Sequence, residues 1–143
     1  MKVKKGLVVT TSGDTYVQEF QENTLKVLQG CVGGLIEPID MNFEAGTMSG
    51  ITTMWVNEEG KLIGLEPNPF ATAVYRTMFS CEDVVVGDVV FTAGTDAMGN
   101  TLGLSDEGLE YLRSLAEACF ALMPPKEQSE MSGKETTIKM EEV

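Results

Sequence analysis

Apolar and polar positions along the chain change period several times, and each change predicts an element. Gly6 to Thr11 is a short apolar run that reads as a strand, and Thr15 to Phe20 reads as a second, with Ser12-Gly13-Asp14 as the turn between them. The period then becomes helical. Asn23 or Thr24 caps a helix carrying Leu25, Leu28 and Val32 on one face, and Gly33-Gly34 ends it as a left-handed cap requires. Leu35 to Met41 reads as a strand that tolerates Pro38 at an edge or bulge, and Asn42 to Gly50 as a glycine-containing loop.

Ile51 to Val56 alternates, with Met54 and Val56 on one face and Thr53 and Trp55 on the other. Leu62 to Leu65 does so more briefly, and Glu58-Glu59-Gly60 fits a three-residue hairpin loop between them. Pro67-Asn68-Pro69 then ends the second strand, because proline cannot donate into a ladder. Phe70 to Phe79 reads as a short helix with Val74 and Met78 inward. Val84 to Ala93 reads as a strand interrupted at Gly87-Asp88, and Thr101 to Leu104 as another. The last helix runs from Ser105 to Met123. Ser105 caps it, Asp106 and Glu107 suit its positive end, and Leu109, Leu112, Leu115, Ala116 and Cys119 form its apolar stripe. Pro124-Pro125 ends it.

These elements predict an α+β fold in one small domain over residues 1–123. An antiparallel or mixed sheet of five to seven strands carries the two main helices, Thr24–Val32 and Ser105–Met123, packed on one face. At 1.5 Å per residue the last helix spans about 27 Å, enough to cover such a sheet. Residues 124–143 are polar and charged, a composition that predicts a mobile tail. Ile138 and Met140 are its apolar anchors, suited to pairing with a neighbour as an added strand.

At 143 residues the chain suits one domain, and no apolar run reaches the roughly 18 residues of a membrane span. Lys2, Lys4 and Lys5 precede an apolar stretch, Leu7-Val8-Val9, too short for a signal peptide. Cys31, Cys81 and Cys119 are far apart, odd in number and lack CxxC spacing, so they read as small hydrophobes in a reducing compartment. The expected location is the cytoplasm.

Net charge is -12, and up to Met123 there are seven basic against seventeen acidic residues, so the folded body carries most of it. After Lys5 the body's basic residues are Lys26, Lys61, Arg76 and Arg113. That is no patch for a row of phosphates, which disfavours direct nucleic-acid binding. The acidity reads either as solubility or as a surface offered to a basic partner.

The absence of histidine from all 143 residues removes the commonest general base, the Ser-His-Asp and Cys-His arrangements, and histidine-ligated zinc. Gly94 to Thr101 copies a phosphate-binding loop superficially, but Asn100 stands where the essential lysine belongs, and a glycine-rich hairpin is the better reading. Glu37, Asp40 and Glu44, or Glu82, Asp83 and Asp88, are candidate hard-cation ligands without calcium-loop spacing. Nothing in the sequence points to a cofactor.

Several motifs together resemble a known family. They are Val32-Gly33-Gly34 with Ile36-Glu37, Asn57-Glu58-Glu59-Gly60-Lys61-Leu62 with Gly64-Leu65 and Pro67-Asn68, Val86-Gly87-Asp88-Val89-Val90, and Leu104-Ser105-Asp106-Glu107. From about residue 3 to 118 the chain resembles a domain family of unknown function common in phages and bacterial mobile elements. The segments 41–49 and 70–83 look longer than that family's usual connections. The resemblance lends no catalytic residues and implies an accessory protein inside a bacterial host cell, aimed at host machinery.

Three functions follow as expectations. The first is a non-catalytic homo-oligomer that sequesters a small nucleotide-like host defence signal. Trp55 or Tyr75 would stack on the base, Arg76 or Arg113 would supply charge, glycine turns such as Gly33-Gly34 would bring backbone donors close to a phosphate, and Asn57 and Lys61 are further candidate ligand-binding residues. The second is an acidic decoy that blocks a basic, nucleic-acid-binding host protein. The third is a metal-dependent carboxylate enzyme. Basic residues gathered beside Trp55 and the glycine turns would favour the pocket, and a continuous acidic face with scattered cations would favour the decoy.

Overall fold

The computed structural model describes residues 3–45 and 48–122. Five strands form one sheet: β1 (Lys4–Val9), β2 (Thr15–Phe20), β3 (Ile36–Ala45), β4 (Met48–Asn57) and β5 (Val89–Thr92). Among the described residues there are three helices: α1 (Thr24–Val32), α2 (Pro69–Phe79) and α3 (Asp106–Ala121). The spatial order is β2-β1-β5-β4-β3, and every pairing is antiparallel. The expected α+β class holds, with the sheet at the lower end of its expected size. The segment after Leu122, with Ile138 and Met140, lies outside the described residues.

Side-chain alternation divides the core in two. Leu7, Val9, Met54, Val56, Val89 and Phe91 face α2 and α3, meeting Phe70, Ala71 and Val74 from α2 and Leu109, Leu112 and Ala116 from α3. Val8 and Val90 face the other way and meet Leu28 and Val32 of α1. Each such buried aliphatic or aromatic side chain contributes about 1.5–3 kcal/mol. The helices therefore do not share one face as expected. α3 shares its face with α2, while α1 lies alone on the opposite side. The physical reason is that β1 and β5 are apolar on both faces, so each side needs a cover.

Two further expectations are corrected. β3 and β4 pair continuously from Ile36↔Asn57 to Ala45↔Met48, so the segment read as a loop belongs to a long hairpin. Leu62 to Leu65 is not a strand. The Asn57 side-chain oxygen accepts from Glu59 N (2.8 Å), Ile63 N donates to Glu59 O (3.0 Å) and Leu65 N to Gly60 O (3.0 Å). Those bonds wind the segment into successive turns and leave Leu62 85% exposed.

Pro67-Asn68-Pro69 starts a helix. Asn68 is the N-cap of α2, accepting from Ala71 N (3.1 Å), with Pro69 inside the first turn. Val74 faces inward as expected, and α1 ends on Gly33 at φ 80. α3 starts on Ser105, whose hydroxyl accepts from Gly108 N (3.0 Å). Thr101 makes one bridge to Thr95, closing the glycine-rich hairpin rather than opening a strand.

Candidate functional site

A nine-residue α1 is about 13 Å long, whereas five strands at ~4.8 Å spacing make a sheet roughly 20 Å across. One short helix cannot cover that face. The uncovered part is a cleft of about 620 Å³ between the start of α1 and the turn at 96–101. Trp55, Ile36, Leu28 and Leu25 give it apolar walls, and Lys4, Gln21, Glu22, Thr24, Asn100 and Thr101 a polar rim.

Each wall has a local cause. Trp55 sits on β4 opposite Val90, and its indole N–H donates to the buried Thr92 hydroxyl (2.9 Å), which fixes the ring. Beside it on the same face Thr53 donates to Asp40 (2.6 Å). Leu25 lies on the first turn of α1 and is 60% exposed. Lys4 donates to Thr101 O (2.8 Å), tying β1 to the hairpin.

The turn that forms the far rim is held by Asp96. Its carboxylate accepts from Asn100 N and Met98 N, each at 2.9 Å. These bonds, that from Asn100 N first, hold its carboxyl below the usual carboxylate range. The sign follows from that direction. The contribution is complete above the ordinary carboxylate pKa and is lost as pH falls through the lower folded value. We therefore expect the amides of Met98 and Asn100 to lose exchange protection below about pH 4, before the sheet does. Amide exchange followed by NMR across that range checks this.

The residues singled out from sequence do not come together in one site: three of them share a second cavity, and the others lie apart. Trp55 alone lines the cleft. Tyr75, Asn57 and Lys61 surround a separate cavity of about 280 Å³, where Lys61 is paired with Asp83. Arg76 is a brace, donating from Nε to Asp83 O and from Nη2 to Glu82 O, both at 3.0 Å. Arg113 is half-exposed on α3. Gly33 ends α1, and a Cβ on Gly34 would come within 2.9 Å of Asn57 Nδ2.

Asn57 is itself structural, donating to Val32 O (3.1 Å) from a 6% exposed position. Sequence reasoning missed Lys4, Gln21, Thr24, Asn100 and Thr101. The glycine-rich hairpin around Asn100 was visible, but not its approach to Trp55.

The acidic groups do not converge either. Glu37 and Asp40 lie on opposite faces of β3, Asp83 is taken by Lys61, and Asp88 accepts from Thr11 N (3.0 Å). Among the described residues no group of three or more Cys, Asp or Glu side chains is placed to hold a metal ion. The three cysteines are free thiols, half-buried, and burial pushes the Cys31 and Cys119 thiols above their usual range. Among the described residues no helix is long and apolar enough to cross a membrane.

No curated protein and no solved structure matches the chain. Its motifs hold structural junctions: Gly34 and Asn57 join α1 to β4, Asn68 joins α2 to the sheet, and Ser105 opens α3. A family model matches residues 1–117, and the chain belongs to that family, a domain of unknown function designated DUF3846.

Proposed function

We propose that the protein acts by binding, and that it holds a small planar molecule of nucleobase type in the Trp55 cleft. The observation that carries this is the placement of the chain's single tryptophan. Its ring is fixed by Thr92 and lines a cleft with apolar walls and a polar rim. That combination suits a flat heteroaromatic ring, stacked on the indole and hydrogen-bonded at its edge.

Charge narrows the class. Among the described residues Lys4 is the one cation that lines the cleft, and Glu22 offsets it. With the arginines elsewhere, a neutral or singly anionic ligand fits better than a polyphosphate. Sequestration of a nucleotide-like host signal is the cellular role we attach to this cleft. Native mass spectrometry of the full chain, purified gently from a bacterial host and compared after denaturation, tests it. The expected result is an adduct that is lost on denaturation and absorbs as a nucleobase. An adduct retained by a Trp55→Ala variant at wild-type occupancy counts against the cleft.

A second reading has its own observation. Glu107, Glu110 and Glu117 lie along the exposed side of α3, and among the described residues the cations are scattered over β1, α1, the 58–64 turns, α2 and α3. This favours an acidic surface that occupies a basic host protein. Capture of such a partner at low salt and its release by added salt is the expected behaviour.

A further inference from the structure

The two edges of the sheet are built differently. The bond from Glu58 N to Leu35 O (2.8 Å) sets the phase of the β3–β4 ladder. Counting by twos along the register, Ile36, Pro38, Asp40 and Asn42 turn their backbone polar groups outward. Proline has no N–H, so Pro38 interrupts that outer row in the middle, and Asp40 adds charge. Proteins commonly protect an edge in this way against pairing with another chain.

The β2 edge is less protected: it has no proline, and Glu19 is the single charge on its outer row. Thr10 N donates to Asp14 O (2.9 Å), which fixes the β1–β2 phase. By the same counting, Tyr16, Gln18 and Phe20 bond to β1, while Thr15, Val17 and Glu19 turn their N–H and C=O groups outward, where the Gln18 side chain donates to Glu19 O (3.0 Å) and has to yield to an incoming strand. No proline interrupts this row. Tyr16 is 44% and Val17 37% exposed, one on each face of the sheet, so an apolar side chain flanks the open ladder on both sides.

We propose that β2 pairs antiparallel with β2 of a second copy of this chain, joining two sheets into one across a twofold axis. The outward groups are centred on Val17, so the axis passes there and the pattern matches itself. Val17 meets its own copy, Thr15 meets the partner's Glu19, and Tyr16 meets the partner's Gln18. No like charges face each other, which a cross-strand pair requires. Such a contact is isologous and closes at two copies. Because each copy carries net charge -12, the dimer tightens as salt rises, the opposite of an acidic decoy binding a basic partner. This surface is independent of the ligand reading, and its test uses no ligand.

Sedimentation equilibrium of the full chain is the experiment, on wild type and on Val17→Lys and Val17→Glu. Wild type is expected to be dimeric, and each variant to weaken the dimer at least about a hundredfold, since like charges then meet on the axis. An equimolar mixture of the two is expected to restore dimers. Thermal unfolding shows whether the variants fold. As a measurement that needs no variant, the Thr15, Val17 and Glu19 amides of wild type are expected to gain exchange protection with protein concentration. A monomeric wild type, variants that dimerise as tightly as wild type, no gain on mixing folded variants, or concentration-independent exchange at those three amides would overturn the proposal.

Discussion

Replacing Asn68 with alanine is expected to lower stability by about 2 to 4 kcal/mol, the sum of a lost helix cap, a Gly87 carbonyl left without its donor, and the loss of a second donor to Val9 O, which keeps its ladder bond from β5. The side chain is fully buried and has every polar group engaged. Its Nδ2 donates to Val9 O (3.0 Å) and Gly87 O (2.9 Å), while its oxygen caps α2 through Ala71 N. Its backbone N–H donates to Val85 O (2.8 Å). One residue thus joins β1, the turn before β5 and the start of α2. Asn68→Asp keeps the capping oxygen but cannot donate, and it buries a charge, so it is expected to cost at least as much at neutral pH. Urea denaturation reads both: the midpoint is expected to fall with little change in slope. A loss under 1 kcal/mol for Asn68→Ala would show that the joint is not cooperative with the core.

Trp55→Ala is expected to weaken binding of a planar ligand by about ten- to a hundredfold, the usual worth of one base stacked on an aromatic side chain. The fold is expected to survive, since Trp55 is half-buried and the core beneath it is formed by Val8, Val90, Leu28 and Val32. Trp55→Phe separates the ring from its tether. It retains an aromatic face but loses the bond to Thr92, so most of the affinity is expected to remain. Leu25→Ala, at an exposed wall position, is expected to cost only a few-fold. Calorimetric titration of the three variants orders them. Equal losses for alanine and phenylalanine would mean that the tether, not the ring face, matters.

The local elements were largely legible in the sequence, and their spatial arrangement was not. The α1 end was readable at Gly33-Gly34, and the α3 start at Ser105-Asp106-Glu107, because caps are local chemistry. The false strand at Leu62 to Leu65 has an equally local cause. Four residues of alternation cannot outweigh an Asn57 side chain that takes the Glu59 amide and turns the chain. The placement of α1 and α3 on opposite faces did leave a signal. Leu7-Val8-Val9 and Val89-Val90-Phe91 are unbroken apolar runs, as strands covered on both sides should be.

The candidate site was legible only at Trp55. Lys4 and Asn100 reach the same cleft through the β2-β1-β5-β4-β3 order, which no local pattern encodes. Charge misled in the opposite way. Arg76 and Lys61 suggested an anion site because cations are scarce, yet the first braces the segment after α2 and the second pairs with Asp83.

Because Trp55 is the chain's only tryptophan, its fluorescence reports on the cleft alone. The decisive measurement is a titration of the full chain, at fixed ionic strength, with adenosine, guanosine, cytidine and uridine and with the triphosphate of each. A saturable change with at least one nucleoside, occurring at lower concentration than with its triphosphate, is the predicted result. Emission unmoved by every nucleoside through the low millimolar range, or tighter binding of the triphosphates, would contradict a cleft built for a flat, weakly charged ring.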